Sequence, residues 1–163
     1  MNIKHIYTKD DAFQDKDGQW AIDFTLPTTG DGYRITASSP QHVADSVNQQ
    51  IRMTLRQYDA EQPYREAVQV LSKMCLVHDG SGAYAAAQVL LSTYNGNNYH
   101  VDLTDLCSLD EDNLRHAMAV INGRVCTFRE PHNMIENGSK IFDELEEKWG
   151  HLSVYKRYEK YQR

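Results

Sequence analysis

The chain has 163 residues, of which 40% are apolar and 25% charged, with a formal net charge of -6. That length and balance fit a folded protein of one domain or a small domain plus an appendage, able to bury about 70% of its unfolded surface. They argue against a disordered chain, and the negative charge argues against free nucleic acid as a partner for the chain as a whole.

The N-terminal third reads as β-structure. Ile3 to Tyr7 is a candidate first strand, with DDAFQDKDG as a polar connection. Trp20, Ile22, Phe24 and Leu26 then alternate with Ala21, Asp23 and Thr25, the period of two of a half-buried strand. Tyr33, Ile35 and Ala37 repeat the pattern, and the intervening PTTGDG carries turn residues, so an antiparallel hairpin is expected.

At SSP the period changes. Ser39 can cap a helix and Pro40 can take its first position, and Val43, Val47, Ile51, Leu55 and Tyr58 share one face to about Ala60. Pro63 is expected to open a second helix, with Ala67, Val68, Leu71, Met74 and Cys75 on its apolar side, broken by HDGSG. Ser81 can cap a third, AYAAAQVLLSTY, which Asn95-Gly96 would stop through the left-handed conformation those residues tolerate. Ser108 and Glu111 have capping-box spacing and would open a fourth helix, closed by Gly123. Pro131 can start a short helical turn, and Ser139 opens KIFDELEEKWG.

Strands followed by helices indicate an α+β fold. The expected architecture is a three-stranded sheet with one helix over residues 1–60, a block of four to five helices over 61–151, and a basic tyrosine-rich tail over 152–163. Leu71, Leu90, Leu103, Leu106, Val120, Phe142, Leu145 and Trp149 are the expected core of the block, so that Leu103→Asp should unfold it.

Chemistry-bearing motifs are sparse. Phosphate-binding loops and a GxSxG nucleophile elbow are not found. The 3 cysteines, Cys75, Cys107 and Cys126, do not have zinc spacing or pair as a disulfide framework, and none of the 7 histidines has a partner four residues away. No metal and no cofactor are therefore expected. The start MNIKHIYTKDD has no apolar leader core and no apolar run approaches a membrane span of about 20 residues, so a cytoplasmic setting is expected.

The densest polar stretch is TYNGNNYHVDLTDLCSLDEDN. Asp110, Glu111 and Asp112 suit the first turn of a helix, where negative charge complements the dipole. Capping leaves Tyr94, His100, Asp102 and Asp105 unexplained, and they are candidate functional residues together with Glu130 and His132 of REPHN. In the tail, Tyr155, Tyr158 and Tyr161 recur every three residues beside Lys156 and Arg157, with a local charge of about +3. Such a tail can pack on its own domain, contact a partner, or stack and pair with nucleic acid.

Over residues 64–150, the helix AVQVLSKMC, the turn DGSG, the run from YNG through DLTDL to LD, the Glu130-Pro131-His132 element and the closing FDELEEKWG resemble a family of small bacterial proteins of unknown function carried on plasmids and integrative elements. The family pattern has valine where this chain has Pro131, so no shared role is carried over for Glu130 and His132. The order of elements before residue 60 is similar to the small HicB-type antitoxin fold, which would make that part a protein-binding or dimerising piece. The expectation is a non-enzymatic accessory protein of a mobile element that binds a host or element-encoded protein, with modulation of a defence system and homodimerisation as extensions. The alternatives are a small metal-dependent hydrolase using the acidic corner at 100–110 and a nucleic-acid binder working through the tail.

Overall fold

A computed structural model describes residues 6–159. The chain is α+β and divides into two compact units, one ending at Asp59 and one beginning at Ala60.

In the first unit, β2 (Trp20–Thr25) and β3 (Gly32–Ala37) form the expected antiparallel hairpin, with Ile22 opposite Ile35 and Phe24 opposite Tyr33. Gly30, at φ 79, supplies the left-handed turn residue that brings the chain back. On the open face Asp23 and Arg34 stand opposite each other and join bidentately, Nε to Oδ1 at 2.6 Å and Nη2 to Oδ2 at 2.7 Å. The third strand differs from expectation. Residues 3–5 lie outside the described residues, and Ile6 and Tyr7 are not in a strand. Instead β1 (Phe13–Gln14), inside the polar connection, pairs with β2 through Phe13 and Ala21. Two exposed residues have no alternation to read, so their pairing is set by the partner strand. Ala21 is fully buried, although the alternation puts it on the open face. Ile22, Phe24 and Leu26 form one core with Val43, Val47, Ile51 and Leu55.

Those last four lie on α1 (Pro40–Val77), a single helix where two were expected. Pro63 sits inside it. Proline has no N–H to offer the carbonyl four residues back and costs about 3 kcal/mol in a helix interior. The helical path persists because burial on both sides outweighs that cost: Leu55 and Ile51 before it, and Tyr64, Ala67, Val68 and Leu71, all 0% exposed, after it.

The second unit adds α2 (Ser81–Tyr94), α3 (Glu111–Thr127), α4 (Gly138–Trp149) and a short α5 (Val154–Tyr158), with 3-10 turns at Asp105–Ser108 and Pro131–Met134. Most cap assignments shift. α2 begins after Gly80 rather than on a Ser81 cap. It does end at Tyr94, yet Asn95 has φ -137 and closes the helix by donating its N–H to Leu91, not through a left-handed residue. The N-cap of α3 is Asp110, whose carboxylate accepts from the Asn113 N–H at 2.8 Å. Ser108 instead donates to the carbonyls of Asp105 and Ser81. α3 also runs past Gly123 to Thr127. Gly123 is an internal packing site, because a Cβ there would overlap the Tyr64 ring. The last carbonyls of α1 are taken by α4: Trp149 Nε1 donates to Cys75 O, and Lys148 Nζ to Leu76 O and His78 O.

Seven of the eight expected core residues are buried, from Leu71 at 0% exposure to Leu106 at 9%. Leu103 is not: it is 74% exposed, which removes the expectation that Leu103→Asp unfolds the unit. The connection is anchored by polar groups on either side of it. Asp102 accepts from the Thr104 N–H and hydroxyl, and the Asp102 N–H is held by Gln88, which turns Leu103 outward. Tyr99 and Leu106 fill the core instead. Among the described residues no helix is long and apolar enough to cross a membrane.

Candidate functional site

The candidate residues of the helical unit fall into two networks. The first is built on Gln88, a residue the sequence reading passed over. It sits in the middle of the apolar face of α2 and is 1% exposed. Its Nε2 donates to Asp105 Oδ2 at 2.6 Å, and its Oε1 accepts from the Asp102 N–H at 2.8 Å and from Arg157 Nη1 at 3.3 Å. Arg157 also donates to the His100 carbonyl at 3.1 Å and lies 3.6 Å from Asp105 Oδ2. His100 therefore takes part through its backbone. Asp102 is held below the ordinary carboxylate range, first by the Thr104 hydroxyl, then by the Thr104 N–H and the charge of Arg157. This arrangement clamps the 99–108 connection and α5 onto α2. The signal for it was one glutamine in AYAAAQVLLSTY at a position whose neighbours are all core.

The second network is aromatic. Tyr94 and His132 meet edge to face at 5.2 Å between ring centroids, and both lie against Phe142, at 5.0 Å and 6.4 Å. His132 Nδ1 is 3.4 Å from Glu130 Oε2, close enough for an ion pair when the ring is protonated but out of line for a hydrogen bond. Burial pushes the Tyr94 phenol up, and the carboxylates of Glu146, Asp143 and Glu130 push it the same way. A phenol so placed stays protonated at neutral pH. Its ring extends the core, with Gly138 packed so closely under the His132 carbonyl that no Cβ fits there. Tyr94 and His132 thus come together, while Asp102 and Asp105 belong to the Gln88 network. Among the described residues no three histidine, cysteine, aspartate or glutamate side chains are grouped to hold a metal ion.

The tail divides by residue. Arg157 is engaged in the Gln88 network, and the Val154 N–H is bonded to Asn98 O at 2.8 Å. Lys156 and Tyr155 face solvent, Tyr155 at 77% exposure. Tyr158 ends α5 and Tyr161 lies outside the described residues.

Exposed apolar side chains are concentrated on α3. One face buries Ala117, Val120, Gly123 and Cys126. The opposite face carries Leu114, Met118 and Val125, 37%, 52% and 57% exposed, with half-buried Ile121 in their midst, and Phe128, 69% exposed, follows at the C-cap of the helix. Spacings of four, three and four keep the four helical residues within one stripe, the pattern of a helix–helix seam. Phe128 ends the stripe at φ 58, a left-handed conformation uncommon for a bulky residue, and it displays its ring to water. Both faces are apolar in the sequence, and nothing local distinguishes the one the fold buries from the one it leaves open.

No curated protein and no solved structure matches the chain. A family model does match, over residues 65–150, from α1 across Gln88 and the 99–108 connection, the α3 stripe and the aromatic cluster to the end of α4, with Arg157 of the clamp outside it. By that match the chain belongs to the family of unknown function DUF7673.

Proposed function

We propose that this chain is a non-enzymatic accessory protein of a bacterial mobile element that acts by binding another protein, and that the outer stripe of α3 is where a helix of that partner lies. The stripe carries the reading. A surface helix ordinarily shows one apolar face to its core and a polar face to water. Here three large apolar side chains stand in a row on the water side, with the exposed Phe128 ring at their end, over a length that a partner helix can follow. Phe128, which ends α3 in the left-handed conformation of a C-cap, adds a 69% exposed aromatic ring just beyond the stripe. The mobile-element setting, and beyond it the modulation of a host defence system, rest on the resemblance of the YNG to LD run.

The test compares the wild-type chain with Met118→Glu/Val125→Glu, a pair of exposed positions whose change leaves the core intact. Both proteins are checked by circular dichroism, tagged, and used to capture proteins from cells of the source bacterium. A protein held stoichiometrically by the wild type and lost by the variant supports the proposal. Equal capture by both, or capture of nothing in stoichiometric amount, contradicts it. If the partner is a second copy, light scattering reports a dimer that the variant dissolves.

A further inference from the structure

Away from α3, the second unit contains a cavity of about 570 Å³ between the last turns of α1, the stretch 134–137 and Ile141 of α4. Its apolar lining is Met134, Leu76, Val77, Ile135 and Ile141, with Met134 0% exposed at the base. One wall is polar, formed by Arg65, Gln69, Ser72 and Lys73 of α1, which recur along one side of the helix. The volume is within the range of about 300–1,000 Å³ in which small-molecule sites fall.

Two observations indicate what it takes. Ser72 is 2% exposed, and its hydroxyl has no hydrogen-bond partner among the described residues, not even a carbonyl of its own helix. Buried hydroxyls are nearly always bonded, so an orphan beside a cavity calls for a partner that comes from outside. Next to it in sequence is Lys73, which has no hydrogen bond or ion pair among the described residues. Arg65 adds a second cation, joined through its Nη1 to Met134 O and through its Nη2 to Glu61. Glu136 is the one carboxylate of the lining, so the rim carries two positive charges against one negative. An anionic head and an apolar body match this division.

We propose that the cavity binds a small amphipathic monocarboxylate, its carboxylate at Lys73 and the Ser72 hydroxyl and its hydrocarbon on Leu76, Met134 and Ile141. The Ser72 hydroxyl is shielded from solvent, so binding turns a flexible wall side chain such as Gln69 aside. A charge-assisted hydrogen bond at a half-enclosed site is worth about tenfold or more in affinity. The lysine is therefore the deciding group. The proposal is independent of the α3 stripe.

The test is calorimetric titration of the full-length protein with decanoate below its micelle-forming concentration. The expected result is saturable uptake of one molecule per chain. Decanol and decylamine should bind about tenfold more weakly or not at all. Lys73→Gln should weaken decanoate by about tenfold and Ser72→Ala by a smaller factor, while Glu136→Gln should tighten it by removing the opposing charge. Met118→Glu, on α3, should leave it unchanged. Lys73 and Glu136 are surface groups, so their variants fold, which circular dichroism verifies. The proposal is overturned if decanoate is not taken up saturably, if decanol binds as well as decanoate, or if Lys73→Gln changes nothing. It is equally overturned if an apolar peptide with a free C-terminal carboxylate binds at Lys73 and decanoate does not.

Discussion

Replacing Gln88 by leucine asks how much the clamp contributes. The volume is nearly kept and an apolar side chain suits the surroundings, so a purely hydrophobic account of α2 expects little change. The hydrogen bonds say otherwise. The contact to Asp105 is short, 2.6 Å, and its acceptor is a carboxylate, a class worth about 1.5–3 kcal/mol net. Asp105 keeps 34% of its side-chain surface, so water replaces part of that bond and the lower figure applies. The Asp102 N–H adds about 1 kcal/mol. The expected loss is about 2–3 kcal/mol, which lowers the urea midpoint of the second unit by about 1–2 M. Trp149 reports on that unit in a Trp20→Phe background, with urea titrations of both proteins followed by fluorescence. Asp105→Ala should cost less in the Gln88→Leu background than in the wild type, because the two share a bond. A Gln88→Leu protein with an unchanged midpoint would refute the reasoning and reduce the clamp to an incidental contact.

Two further outcomes follow from packing and titration. Gly123→Ala should destabilise the second unit by up to about 2 kcal/mol: helix propensity favours alanine by about 1 kcal/mol, but overpacking against the buried Tyr64 ring costs about 1–3; a rise in the urea midpoint would show that Tyr64 yields freely. Burial pushes the Cys75 thiol up to about 12 and raises the Tyr64 phenol as well, so both keep their protons in the folded state. Unfolded, they titrate near about 8.5 and about 10, so their contribution is complete below about pH 8 and is lost as pH rises further. The thermal midpoint should fall above about pH 9, and a thiol reagent at pH 8 should find Cys107 at once and Cys75 and Cys126 only after unfolding. A midpoint that rises with alkalinity, or three thiols of equal rate, contradicts this burial.

What the sequence exposed and what it concealed divide along physical lines. The β2–β3 hairpin was legible because two alternating runs flank a glycine-rich turn, and the core of α4 because Phe142, Leu145 and Trp149 share one helical face. Pro63 misled, because a local rule about proline says nothing of burial on either side of it. Leu103 misled for the opposite reason: hydrophobicity suggested burial, while the register of its segment was set by Asp102, Thr104 and Gln88. Of the candidate residues, Tyr94 and His132 do meet, and Asp102 and Asp105 share Gln88. The glutamine could not be singled out without knowing that Asp105 and Arg157 come to it from 17 and 69 residues away. The α3 stripe was invisible for a simpler reason. An apolar residue in a list carries no sign of how far its neighbours cover it, and Leu114, Met118, Val125 and Phe128 are left 37% to 69% exposed.

That stripe is the centre of the functional account, and site-specific photo-cross-linking in cells that express the protein tests it most directly. A benzophenone side chain replaces Met118 or Val125 in one set and the exposed Lys140 of α4 in a control. The account predicts one discrete adduct, of the same mass increment from both stripe positions and absent from the control. Its yield should fall sharply when Leu114→Asp is added. Adducts of equal yield from Lys140, or no discrete adduct from Met118 and Val125, would contradict the reading of α3 as a partner-binding face.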